Sequence, residues 1–194
     1  FDEINAELKK RQCGYGRGGR MKIESDKVNI LGGVRGKKTL GGPVSIEVKN
    51  RDYQNWTEYM APMDDVDFET RKVDNVRPGH ADLVGCLKYD FTDARNVLER
   101  SSARETASRV AVGAICKQVL KNFDIDFVSH VIQIGNVKDE NVYDFDYIKN
   151  NVDSSEVRCA NKDMEAKMIA QIDEIKNERD TIGGVVEVRV KNLI

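Results

Sequence analysis

Residues 100–114 read Arg100-Ser-Ser-Ala-Arg-Glu-Thr-Ala-Ser-Arg-Val-Ala-Val-Gly-Ala114. Ser102 and Glu105 stand in the S-x-x-E spacing of a capping box, in which a hydroxyl and a carboxylate satisfy the unpaired N–H groups at a helix start. Behind them Ala107, Val110, Ala111, Ala114 and Ile115 fall on one helical face. Small residues dominate that face, so the helix is expected to pack closely against its neighbours.

Elements of both kinds surround this helix. Towards the C-terminus the pattern predicts a strand over residues 127–137 and a weak helix over 144–150. A stronger helix over 161–178 follows from the spacing of Met164, Met168, Ile172 and Ile175, and residues 184–191 alternate as a strand. Towards the N-terminus, Arg77-Pro-Gly-His-Ala-Asp82 reads as a turn entering a short helix that runs through Lys88. Residues 50–76, with one Trp, many acids and Pro62, read as an irregular excursion longer than most internal loops. Short strands at 21–24, 28–31 and 44–48 are expected to form an antiparallel meander, and Phe1, Ile4 and Leu8 have helical spacing. Too few strand–helix crossovers occur for a doubly wound sheet. The fold class is α+β.

With 194 residues the length suits one domain. Hydrophobic residues make up 40% and charged residues 33%, with three prolines, which argues against a disordered chain. The formal charge of −2 gives no global basic field for nucleic acid or anionic membrane. No apolar run approaches the roughly 20 residues of a membrane-spanning helix. Cys13, Cys86, Cys116 and Cys159 lie far apart without a CxxC pair, and the chain has only two histidines. A structural zinc site or disulfide framework is therefore not expected, and reduced cytoplasmic thiols are. Helical spacing begins at Phe1 and a strand ends three residues before the last, so the chain reads as a fragment of a longer protein, cut at both ends.

Three places carry candidate chemistry. Residues 1–40 hold ten Lys/Arg against five Asp/Glu, and Arg11, Arg17 and Arg20 flank the glycine-rich run Gly14-Tyr-Gly-Arg-Gly-Gly-Arg20. A guanidinium matches carboxylate or phosphate oxygens two at a time, and glycine lets the backbone approach a ligand. The same residues also suit a solvated basic loop or an RGG-like segment touching RNA. His80 follows a Pro-Gly turn beside Arg77 and Asp82, where an imidazole can exchange a proton near neutral pH or serve the structure alone. His130, between Val128 and Ile132, reads as a core residue. Arg100, Ser101 and Ser102 stand at a helix start that can hold phosphate, or that needs no more than a good cap; Ser101 and Arg100 are expected to face a ligand. Together they suit a polyanionic ligand without naming a reaction.

Over essentially all 194 residues the chain resembles the chorismate synthases. The resemblance rests on Arg11-Gln-Cys-Gly-Tyr-Gly-Arg-Gly-Gly-Arg-Met21, on Arg77-Pro-Gly-His-Ala-Asp82 and above all on residues 100–114, with residues 28–33, Asn50-Arg-Asp52 and Ile182-Gly-Gly184 also matching in order and spacing. It implies a β-α-β sandwich of antiparallel sheets around helices, with residues 1–194 forming one domain truncated at both ends. It implies a flavin-dependent lyase that converts 5-enolpyruvylshikimate 3-phosphate to chorismate and phosphate by 1,4-anti elimination, with reduced FMN as cofactor and NADPH as reductant in some members. A cytoplasmic homotetramer binding neither nucleic acid nor membrane is implied as well.

Residue by residue, the resemblance makes Arg11, Arg17, Arg20 and Arg77 substrate contacts, His80 the catalytic histidine beside the flavin, and Arg100, Ser101 and Ser102 flavin contacts. No metal is implied. The alternative is a non-catalytic anion- or RNA-binding module using the arginine–glycine loop. The family's N-terminal Gly-Glu-Ser-His-Gly strand and its C-terminal half lie outside this sequence. The 194-residue chain alone is therefore expected to show no turnover with substrate and anaerobically reduced flavin. Measurable phosphate release from the purified chain would contradict that expectation.

Overall fold

The computed structural model describes residues 1–16, 25–63 and 65–193, all but residue 103 to the side chain. Two compact units emerge: residues 1–26 with 110–194, and residues 27–109. The α+β class holds in each.

In the first unit, α1 (Asp2–Gln12) carries Asp2 and Glu3 in its first turn and Lys9, Lys10 and Arg11 in its last, which complements the helix dipole. Ile4 and Leu8, one turn apart, are buried. Strands β5 (Asp126–Ile134), β6 (Val137–Lys138) and β7 (Gly184–Lys191) form an antiparallel sheet in the order β6-β5-β7. The strand expected over 127–137 is thus two strands. Gly135, at φ 55°, turns the chain and places Val137 opposite Ile134. β7, which reads in isolation as a strand seeking a neighbour, pairs with β5 from Asp126↔Lys191 to Ile134↔Gly184. That register sets Glu187 opposite His130, whose Nε2 lies 2.9 Å from the Glu187 carboxylate while the ring is almost fully buried. His130 is a satisfied core histidine.

Helix α5 (Phe145–Asn151) starts where Asp144 accepts from the Tyr147 N–H, and α6 (Lys162–Glu178) where Asn161 accepts from Asp163 and Met164. Met168, fully buried, packs with Val157 and Cys159. Val128, Ile148, Val152 and Ala160 form a second apolar cluster.

In the second unit, β1 (Val28–Gly32) pairs antiparallel with β4 (Ser45–Val48), and β2 (Val34–Arg35) with β3 (Lys38–Thr39). The meander expected here is instead one hairpin nested inside another; the strand expected at 21–24 lies outside the described residues. Gly33 makes the nesting possible. It sits at φ 81°, and a Cβ there would stand 2.2 Å from the Pro43 carbonyl oxygen.

The excursion folds around Trp56. A 3-10 turn (Arg51–Asn55) brings Asp52 to accept from the indole N–H at 3.0 Å. The Arg71 and Arg95 guanidiniums lie 4.6 and 4.7 Å from the ring centroid, in cation–π range. Arg95 also donates to the Arg71 carbonyl, which ties the excursion to the start of α3 (Arg95–Arg100).

Helix α2 (Asp82–Tyr89) rests on α3 through Gly85, where an added Cβ would come within 2.4 Å of a Val97 methyl. Helix α4 (Ala103–Lys121) gives its first turns to this unit and its remainder to the other, with Ala107, Ala111 and Ala114 buried as the spacing predicts. The four cysteines are free. Among the described residues no helix is long and apolar enough to cross a membrane, and no His/Cys/Asp/Glu group could hold a metal ion.

Gly85→Ala gains helix propensity but overpacks the α2–α3 contact, for an expected net loss of about 1–2 kcal/mol in urea unfolding. Combining it with Val97→Ala is expected to cost less than the sum of the two single losses. Strict additivity would contradict the contact.

Candidate functional site

The sequence builds the first part of the site in six residues. Pro78 fixes its own φ for the first central position of a turn, and Gly79, at φ 68°, supplies the left-handed second position. The His80 N–H then reaches back to the Arg77 carbonyl at 3.3 Å. This type II turn stacks the side chains at 77 and 80, and the chain enters α2 at Asp82.

Asp82 has no exposed surface, and Arg77 surrounds its carboxylate with donors. The Arg77 backbone N–H and Nε donate to Oδ2 at 2.9 and 2.8 Å, and Nη2 donates to Oδ1 at 2.8 Å. A buried carboxylate needs this arrangement, because a desolvated charge without partners costs far more than one paired donor by donor. The Arg77 guanidinium beside Asp82 holds its carboxyl well below the usual carboxylate range, and the carboxylate raises Arg77 in turn. Nη2 also lies 3.1 Å from His80 Nδ1, and His80 Nδ1 lies 3.5 Å from Asp82 Oδ1. Arg77 and His80 stay 46% and 39% exposed while their anchor is hidden, so both can meet a ligand.

The second part stands at the start of α4. Ser102 Oγ accepts from the Arg104 N–H at 3.1 Å, so the expected hydroxyl caps the helix, at Arg104 rather than at the Glu105 N–H of a full capping box. The other half differs. Glu105 turns outward to Arg100, 2.6 Å away, and to Arg109, 2.9 Å away, and these cations hold its carboxyl below the ordinary range. Ser101 and Arg100, expected to face a ligand, both have partners within the fold. Ser101 Oγ donates to the Val97 carbonyl at 2.7 Å and closes the last turn of α3, while Arg100 pairs with Glu105 yet keeps 71% of its side chain exposed. Arg104, the second arginine of the run, donates to the Val48 and Lys49 carbonyls at the end of β4.

The expected residues are brought together in two groups. Arg77 and His80 close on Asp82, and Arg100, Ser101 and Ser102 are contiguous around Glu105, all within residues 27–109. Arg11 belongs to the other unit and pairs with Asp26 at 3.1 Å, its side chain only 10% exposed. Arg17 and Arg20 lie outside the described residues. A cleft of about 540 Å³ beside Tyr143, Tyr147 and Asn161 and one of about 280 Å³ beside Tyr59, Arg71 and Arg95 are lined by none of the expected site residues. The missed participant is Asp82. Its signal is local: an acid at the first position of a helix, five residues after an arginine, with a Pro-Gly turn between them.

Comparison with known proteins shows what the chain as a whole is similar to. The family described as chorismate synthase matches residues 1–194. The chorismate synthase of Alkaliphilus metalliredigens (strain QYMF) is 54% identical over 191 residues, 98% of this chain and 50% of that protein. That of Staphylococcus carnosus (strain TM300) is 52% identical over 196 residues, 99% of this chain and 50% of that protein. A solved structure, "Crystal Structure of Chorismate Synthase", superposes with a TM-score of 0.72 at 36% identity, covering 98% of this chain and 50% of that one. The chain thus spans about half the length of the curated relatives it matches.

A carboxyl with a depressed folded pKa stabilises the fold above its unfolded pKa, about 3.9 for Asp, and loses that contribution as pH falls towards the folded value. Asp82→Asn is therefore expected to lower the urea midpoint at neutral pH, with the gap to wild type narrowing below about pH 4. A gap independent of pH would assign the loss to packing instead.

Proposed function

The chain belongs to the chorismate synthase family, and on that premise we propose that it forms part of a flavin-dependent lyase converting 5-enolpyruvylshikimate 3-phosphate to chorismate and phosphate by 1,4-anti elimination. Its two compact units are read as parts of one catalytic domain. In this reading the whole protein is a cytoplasmic homotetramer whose partner is a small-molecule substrate, with NADPH as reductant where flavin reduction is intrinsic. The observation that carries the reading is the Arg77–Asp82–His80 cluster, a half-exposed cation and imidazole fixed by one buried carboxylate, within a sequence that matches the family from end to end.

The donor set fits an anionic flavin. Arg100 keeps most of its side chain exposed just before the 19-residue α4, where the helix dipole favours phosphate and other electron-rich oxygens. Ser102 caps α4 through its oxygen, so its hydroxyl hydrogen can still be donated, and Ser101, already donating, can still accept. These three residues would hold reduced FMN, which when bound supplies the electron density that helps phosphate leave. Arg77 presents positive charge where anionic groups of the substrate are held, and negative charge developing at the departing phosphate is stabilised by such fixed cations. Arg11, Arg17 and Arg20 are proposed as further substrate contacts of the whole protein. His80 holds the proton shared with the bound ligand.

In a protein of family length carrying this sequence, His80→Ala is expected to lower turnover by about 10²–10⁴-fold with little change in flavin Kd. Stopped-flow turnover and anaerobic flavin titration check it. Equal losses in both would make His80 a binding residue rather than an acid–base group.

A further inference from the structure

We propose that Asp82 is a positioning residue which, acting through Arg77, holds neutral His80 in the tautomer that carries its proton on Nε2. The inference rests on the reading of His80 as the acid–base group and says which nitrogen does the work. It follows from donor and acceptor capacity. A guanidinium has donors only, so the 3.1 Å approach of Arg77 Nη2 to His80 Nδ1 is a hydrogen bond only if Nδ1 presents its lone pair. The neutral ring then carries its single hydrogen on Nε2.

The competing partner for Nδ1 is the Asp82 carboxylate, which would favour the opposite tautomer. Its Oδ1 is 3.5 Å away, beyond a good hydrogen bond, and already accepts from Nη2 at 2.8 Å. Nη2 has two hydrogens, and the arrangement uses both, one for Oδ1 and one for Nδ1. Asp82 makes this choice stick. With no exposed surface and three Arg77 donors at 2.8–2.9 Å, it fixes the plane of the guanidinium through a two-point fork. The type II turn then brings the imidazole to the one nitrogen of that fork with a hydrogen to spare.

Function follows from the tautomer. A neutral ring of this kind offers Nε2–H as a donor to an anionic acceptor and cannot accept a proton at Nε2. A second proton must enter at Nδ1, where it displaces Arg77 and leaves Asp82 Oδ1 as the nearest acceptor. Removing the guanidinium should do the same to the neutral ring, because the carboxylate then has no competitor for an Nδ1–H donor.

The test is two-bond ¹⁵N–¹H correlation on the ¹⁵N-histidine-labelled chain at about pH 8, where an ordinary imidazole is neutral. The chain has only two histidines, and His80→Gln assigns the signals. In the wild type, His80 is expected as Nε2–H alone. In Arg77→Met, with an unchanged circular dichroism spectrum, the population is expected to invert to mainly Nδ1–H. A wild-type ring in the Nδ1–H form, or in a mixture like that of free imidazole, overturns the proposal, and so does a folded Arg77→Met with the tautomer unchanged. If Arg77→Met does not fold, the wild-type spectrum decides alone. No arm requires ligand or turnover, so this assignment fails separately from the lyase reading, which His80→Ala kinetics decide.

Discussion

A carboxylate with no surface exposed to water must be matched donor by donor, and the Asp82 carboxylate meets that demand through one residue, Arg77. Much of the local architecture serves this match. The Pro78-Gly79 turn returns the chain so that backbone and side chain of Arg77 both reach the carboxylate, and the start of α2 presents Asp82 at the right height. Gly85 lets α2 settle onto Val97 of α3, and α3 leads through Ser101 directly into the start of α4. The half-exposed groups able to meet a ligand are thus held by groups that cannot.

Arg11 and Asp26 use the same pairing with a different outcome. There the guanidinium is mostly buried with its aspartate, whereas Arg77 keeps nearly half of its side chain in contact with water. Both arginines look equivalent in sequence, each beside glycines and chemistry-bearing neighbours. Burial separates them, and burial is set by packing at a distance that a local string does not contain.

The elements with a full local signature were legible in advance. Ser102 and the alanine stripe predicted α4, the spacing of Met164, Met168, Ile172 and Ile175 predicted α6, and the company of Val128 and Ile132 marked His130 as a core residue. Where two partners competed for one group, the pattern could not choose. Glu105 satisfies the capping-box spacing but turns to Arg100 and Arg109, because two cations outbid one backbone N–H for a carboxylate. Gly135 was hidden inside a run that reads as uninterrupted strand, and the nested pairing of β1 with β4 depends on Gly33 passing close under Pro43. Asp82 was in view beside His80, yet its part in the site became apparent only once its burial was known.

The central claim is that the Arg77–Asp82–His80 cluster faces the reacting ligand in a protein of this family. A crystal structure of the family-length protein carrying this sequence, grown with FMN and substrate, tests it most directly. The account predicts bound flavin within hydrogen-bonding distance of His80 Nε2, and substrate oxygens against the exposed edge of Arg77. Both ligands bound with His80 and Arg77 touching neither would contradict it.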